Sequence, residues 1–183
     1  PPIIVRCHER STVPRQRRGE ARHRDASPTG TRYRAVYRNV YIARDIKLTA
    51  LLKAEASWLW ASGEAILVGV SAAAVHRTKW LDVKLPAELI RADRHSPPGI
   101  VIRSWSLRPD ECQMVRGIRV TTPARTAYDV GCSFPAKRAI PMLDALLNAT
   151  RVPPAEVLKI ADANPGARGI RRLRSTLALV DGG

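Results

Sequence analysis

Between Arg10 and Arg24 the chain carries six arginines, and only Val13 and Ala21 are apolar. No apolar period of 3.6 or 2.0 runs through this stretch, and Pro14, Gly19, Pro28 and Gly30 interrupt it further. Ordering a backbone costs about 1–2 kcal/mol per residue, and a segment with so little to bury has no means of offsetting that. Residues 1–31 are therefore expected to be a disordered basic arm, and any core must be built from residue 32 onward. The arm also concentrates charge. Residues 1–44 hold 11 arginines against three acids, a balance of +8, while the remaining residues contribute +7 to the total of +15. Such an excess points to a polyanionic partner, most simply nucleic acid.

Other classes are disfavoured. No apolar run approaches the roughly 20 residues of a membrane span, and the opening Pro1–Arg6 is too short for a secretory signal. Cys7, Cys112 and Cys132 are odd in number and show no CxxC pair, so neither a disulfide framework nor a zinc site is indicated. A cytoplasmic location follows as the expectation. The sequence lacks HExxH, GxSxG and GxxxxGK[ST], so no catalytic residue, metal or cofactor is assigned. His76 reads as a partly buried helix residue, and Asp82, Glu88, Asp93 and Asp110 as solvated loop charges. Asp129 and Asp144 fall inside amphipathic helices, each expected to pair with a nearby base.

The remaining pattern predicts an α+β domain over 48–183, a small mixed β-sheet packed with helices, preceded at 32–47 by a wing-like hairpin remnant. Tyr33 to Ala43 is β-favouring, with Arg38-Asn39 as a turn. Leu48–Ala61 suits a helix capped by Thr49 and closed by Gly63, and Ser71 is placed to cap Ala72–Thr78. Ala87–Arg91 and Ile100–Trp105 read as strands. Cys112–Val115 and Ile118–Thr121 flank a hairpin tip at Arg116-Gly117. The last third is helical. Thr122-Pro123 starts a helix that Gly131 is expected to stop. Ala136–Asn148 follows, with Pro141 expected to kink it. Pro153–Asn164 and Ile170–Val180 complete the chain. With aromatic residues at 5%, the core must be largely aliphatic.

The basic clusters carry the functional expectation. Arg32, Arg34, Arg38 and Arg44 alternate with Tyr33, Tyr37 and Tyr41. Strand parity would give a packing tyrosine face and an arginine face turned to a sugar–phosphate backbone. Arg168, Arg171, Arg172 and Arg174 cluster at the start of the last helix, neighbours by helical spacing. Phosphate contact fits both sets better than base readout, because no recognition helix is apparent. Trp58, Trp60, Trp80 and Trp105 are read mainly as packing residues, with base stacking the alternative role.

Three segments carry a family resemblance. Tyr37-Arg38-Asn39-Val40-Tyr41 resembles the R-G-V-Y wing strand of AbiEi-type antitoxins. Ser71–His76 resembles their S-x-x-S-A-A-x-L-H-G helix, and Val120–Asp129 resembles their V-T-x-P-A-R-T-L-x-D segment, the most specific of the three. The similarity is greatest to actinobacterial, above all mycobacterial, relatives in which this region precedes a Vsr-like (very-short-patch repair) nuclease domain, entered near Asn164–Gly169. The resemblance implies a non-enzymatic, DNA-associated, transcription-regulating antitoxin module. Its implied partners are DNA and a nucleotidyltransferase-type toxin. It supplies no catalytic residue. The alternatives are the inactive recognition part of a split endonuclease, or a degenerate fragment. Family members open with a winged helix-turn-helix, whose place the basic arm occupies here.

Overall fold

The computed structural model describes residues 4–6 and 32–180. Over these the chain is α+β, with six helices, a mixed five-stranded sheet and a small antiparallel sheet. The small sheet is built on a hairpin of β2 (Tyr33–Tyr37) and β3 (Val40–Ala43), with β1 (Ile4–Arg6) added to the free edge of β3. Asn39 takes the left-handed conformation of the turn, φ 61°, which suits its short polar side chain. Part of the expected disordered arm is thus a strand, with Ile4 opposite Ile42 and Arg6 opposite Val40. The physical reason is legible in the sequence. Ile3-Ile4-Val5 is the β-favouring run of the arm, and β3 offers an unpaired backbone edge. The rest of the arm, 1–3 and 7–31, lies outside the described residues.

The expected parity of the hairpin fails at one point. The register shifts between Ala35 and Tyr37, so Tyr37 lies opposite Val40 while Ala35 lies opposite Tyr41. A bulge moves every later side chain to the other face. Tyr37, Val40 and Ile42 are consequently buried together, whereas Tyr33 and Tyr41 stay half-buried on the opposite side.

Helix α1 (Ala50–Trp60) starts at Thr49, whose hydroxyl accepts from Leu52 N at 3.2 Å. Its buried positions are Ala54, Ala56 and Ser57, small residues that let neighbouring elements come close. Helix α2 (Gly69–Val75) is wholly buried and begins before the expected Ser71 cap. Its early N–H at Val70 is served instead by the Glu88 carboxylate at 3.2 Å, and the Ser71 hydroxyl accepts from Glu88 N at 2.8 Å.

The larger sheet has the order β6–β5–β4–β8–β7, formed by β4 (Ile66–Leu67), β5 (Ala87–Ile90), β6 (Ile100–Ile102), β7 (Cys112–Val115) and β8 (Ile118–Thr121). β4 runs parallel to β8 and antiparallel to β5, with Leu67 opposite both Val120 and Leu89. β6 is shorter than expected and ends at Ile102, leaving Arg103–Ser106 as irregular chain.

Four helices complete the domain: α3 (Pro123–Ser133), α4 (Ala136–Thr150), α5 (Pro154–Ala163) and α6 (Ile170–Leu177). Gly131 does not stop α3. A Cβ there would fall 2.2 Å from Leu173 Cδ1, so the glycine lets α6 seat directly on α3. Pro141 does not break α4 either. It is exposed, where solvent can serve the one carbonyl it leaves unbonded. Two apolar clusters result. One joins the hairpin, α1, α2 and the sheet, and the other lies among α3–α6, with Leu81 packed against both.

Gly169 fixes the entry to α6. Its φ is +92°, and a Cβ would meet the Cys132 carbonyl oxygen at 2.3 Å. Gly169→Ala should therefore lose at least about 2 kcal/mol, a fall in Tm of about 5 °C. Gly166→Ala, with nothing within 4 Å of the added carbon, should melt within about 1 °C of the parent. Thermal unfolding followed by circular dichroism compares the two.

Candidate functional site

The two expected arginine sets sit on different cores. The hairpin carries Arg32, Arg34, Arg38 and Arg44, and its buried face belongs to the cluster of α1 and the sheet. Arg34 Nη2 donates to the Ile46 carbonyl at 3.1 Å, and Arg44 Nε donates to the Tyr33 carbonyl at 3.1 Å. A carbonyl orients a guanidinium without cancelling its charge. Arg34 lies opposite Ile42 on the inward side, Arg38 is in the turn, and Arg32 and Arg44 are exposed, so the four do not share one strand face.

The second set is divided in the same way. Arg168 and Arg171 are exposed, and no acid among the described residues pairs with either. Arg172 is half-buried and donates to the Cys132 carbonyl. Arg174 is held by Asp162 at 2.6 Å.

Arg168 and Arg172 also line a groove of about 800 Å³ with Arg103, Trp105, Arg125 and Tyr128 among its other walls. Beneath it lies a buried charge network. Arg125 is only 6% exposed and bonds Asp129 from Nε at 2.8 Å and Glu111 from Nη1 at 2.6 Å. Its Nη1 also reaches the Ser106 carbonyl at 3.2 Å. Asp129 and Glu111 are buried at 2% and 4% exposure. Burial by itself would lower the Arg125 pKa, and the two carboxylates outweigh it and raise the value. Burial lifts Asp129 to about 7, helped by the negative charge of Glu88 and Glu111 and opposed by Arg125. Beside it the Cys132 thiol is pushed up to about 11, again chiefly by burial, which keeps it protonated and unreactive.

Glu88 corrects an expectation. It is not a solvated loop charge but a buried strand residue that pairs with Arg103. No sequence signal distinguished Glu88 or Glu111. For Asp129 a nearby base was expected, and Arg125, four residues earlier on the same helix, is that base. Asp144 instead accepts from the Asn148 amide at 3.5 Å. His76 is buried and donates through Nε2 to the Thr121 carbonyl at 2.8 Å, and burial lowers its pKa. It caps α2. Among the tryptophans, Trp58 packs on the sheet cluster, Trp60 lies under the Arg91 guanidinium, Trp80 is 88% exposed, and Trp105 lines the groove.

Two outcomes follow from the network. Arg125→Ala leaves Glu111 and Asp129 buried without their countercharge and should cost about 3–5 kcal/mol in urea unfolding. For Asp129 the folded pKa of about 7 exceeds the unfolded value of about 3.9. Its stabilising effect is complete below pH 4 and is lost as pH rises through 7, because the unfolded chain sheds that proton first. Asp129→Asn should remove this loss, so urea midpoints at pH 4.5 and 7.5 should differ less in the variant than in the parent.

No helix among the described residues is long and apolar enough to cross a membrane. No curated protein matches the chain. The family model of the AbiEi antitoxin C-terminal domain matches residues 56–179, about two thirds of the sequence. That span begins within α1 and takes in the whole larger sheet, the Arg125 network and the groove, while the hairpin precedes it. The chain belongs to the AbiEi antitoxin C-terminal domain family.

Proposed function

We propose that the chain is a non-enzymatic, DNA-associated antitoxin module that works in the cytoplasm, regulates transcription and counters a nucleotidyltransferase-type toxin. The family is a regulatory, non-catalytic one, which supports the toxin–antitoxin role. The observation that carries the DNA reading is the pair Arg168 and Arg171. Both are exposed, without an acidic partner among the described residues, in a chain of net charge +15. Uncompensated guanidinium groups release counterions from phosphates, and this dominates sequence-independent affinity for DNA. Arg32, Arg34, Arg38 and Arg44 on the hairpin, with Arg172, add further positive charge in this reading. Arg174 adds less, because Asp162 holds it.

Backbone contact predicts steep salt dependence. In gel-shift titrations of a duplex from the chain's own promoter, log K should fall against log salt with a slope of about −0.9 per phosphate neutralised. Arg168→Ala/Arg171→Ala should weaken binding to all duplexes alike and make that slope shallower by about 2. Failure to shift any duplex at about 50 mM salt would end the DNA reading. The toxin reading has its own test. Co-expression with a neighbouring nucleotidyltransferase gene should restore growth. A Vsr-like reading frame in that position, with no toxin gene, would favour the inactive recognition part of a split endonuclease.

A further inference from the structure

We propose that the groove between Trp105 and the Arg168–Arg172 segment binds a single-stranded stretch of nucleic acid, with a phosphate on Arg168 and Arg172 and an unstacked base on the Trp105 ring. This rests on the nucleic-acid reading above and names the strand form that one site takes. The volume of about 800 Å³ lies within the range of about 300–1,000 Å³ typical of ligand clefts, enough for a nucleotide.

The aromatic wall is fixed in advance. Arg103, which precedes Ser104-Trp105, pairs with buried Glu88, and its guanidinium lies 4.9 Å from the Trp105 ring centroid. On the other side the Ser106 carbonyl accepts from Arg125. Trp105 is therefore tethered through both neighbouring segments, although it lies outside any strand or helix, and it stays half-exposed. A ring held this way loses little freedom when a base stacks on it.

The Arg168–Arg172 segment supplies the charge. Of the four arginines lining the groove, Arg103 is neutralised by Glu88, and Arg125 by Glu111 and Asp129. Arg168 has no acid partner among the described residues, and neither has the Arg172 guanidinium, which donates to the Cys132 carbonyl. Two cations with no acid partner among the described residues thus line the same groove as an aromatic ring. Phosphate and base are the two parts of a nucleotide that such walls bind. In a duplex each base has both faces covered by its neighbours, so a stacking wall is useful only to an unpaired strand.

Fluorescence anisotropy of the full chain tests this with labelled dT12 and rU12 and with a blunt 12-bp duplex, all at the same low salt. Both single strands should bind, and the better of the two identifies the sugar preferred. Trp105→Leu should weaken single-strand binding about tenfold and change duplex binding less than twofold. Arg168→Glu, a change at an exposed position, should also weaken dT12 and rU12 binding, so the proposal remains testable if the tryptophan variant unfolds. Duplex binding without single-strand binding, or single-strand affinity unchanged in either variant, would overturn the groove assignment and leave the DNA reading intact. No binding to any of the three would remove the DNA reading itself.

Discussion

The Arg125 guanidinium, held between Glu111 and Asp129 and bonded to the Ser106 carbonyl, joins three pieces of chain. Asp129 comes from the same helix. Glu111 comes from the short 3-10 turn before β7, and Ser106 from the irregular segment after β6. An ion pair this deep is a poor source of net stability, because desolvating the charges consumes most of the attraction. Its effect is on arrangement. With one arginine satisfied by three partners, the Arg103–Ser106 segment has one place to lie, and the mouth of the groove is set.

The same network decides which positive charge reaches the surface. Glu88 and Glu111 are buried acids, each committed to an arginine. They neutralise Arg103 and Arg125 from beneath the groove and leave the outer wall at Arg168 and Arg172 cationic. Glu88 has a second duty, since its other oxygen takes the Val70 N–H at the start of α2. Gly69 must be glycine for that carboxylate to fit, because a Cβ would fall 1.7 Å from it. Folding of the sheet and placement of charge are therefore coupled through single side chains.

Most element positions were legible in sequence because their signals are local. Thr49 and Thr122 cap α1 and α3 as their spacing implied, and Arg116-Gly117 turns the β7–β8 hairpin. The departures share one cause, a distant neighbour overruling a local preference. Gly131 continues α3 because Leu173 packs against it, and Ser71 sits inside α2 because Glu88 serves the helix start. The bulge between Ala35 and Tyr37 places Tyr37 in the core, its hydroxyl donating to the Gly99 carbonyl at 3.3 Å.

The sequence by itself determined an aliphatic α+β domain, the basic balance of +15, and the motif segment Val120–Asp129 that carries the family likeness. These rest on composition and short-range spacing, which need no knowledge of the fold. Only the tertiary structure decided which arginines are spent on buried acids and which remain available, and that Trp105 lines the same groove as Arg168 and Arg172. Those facts depend on the fold bringing residues up to 67 positions apart, Trp105 and Arg172, to one groove, where no periodicity or capping rule carries information.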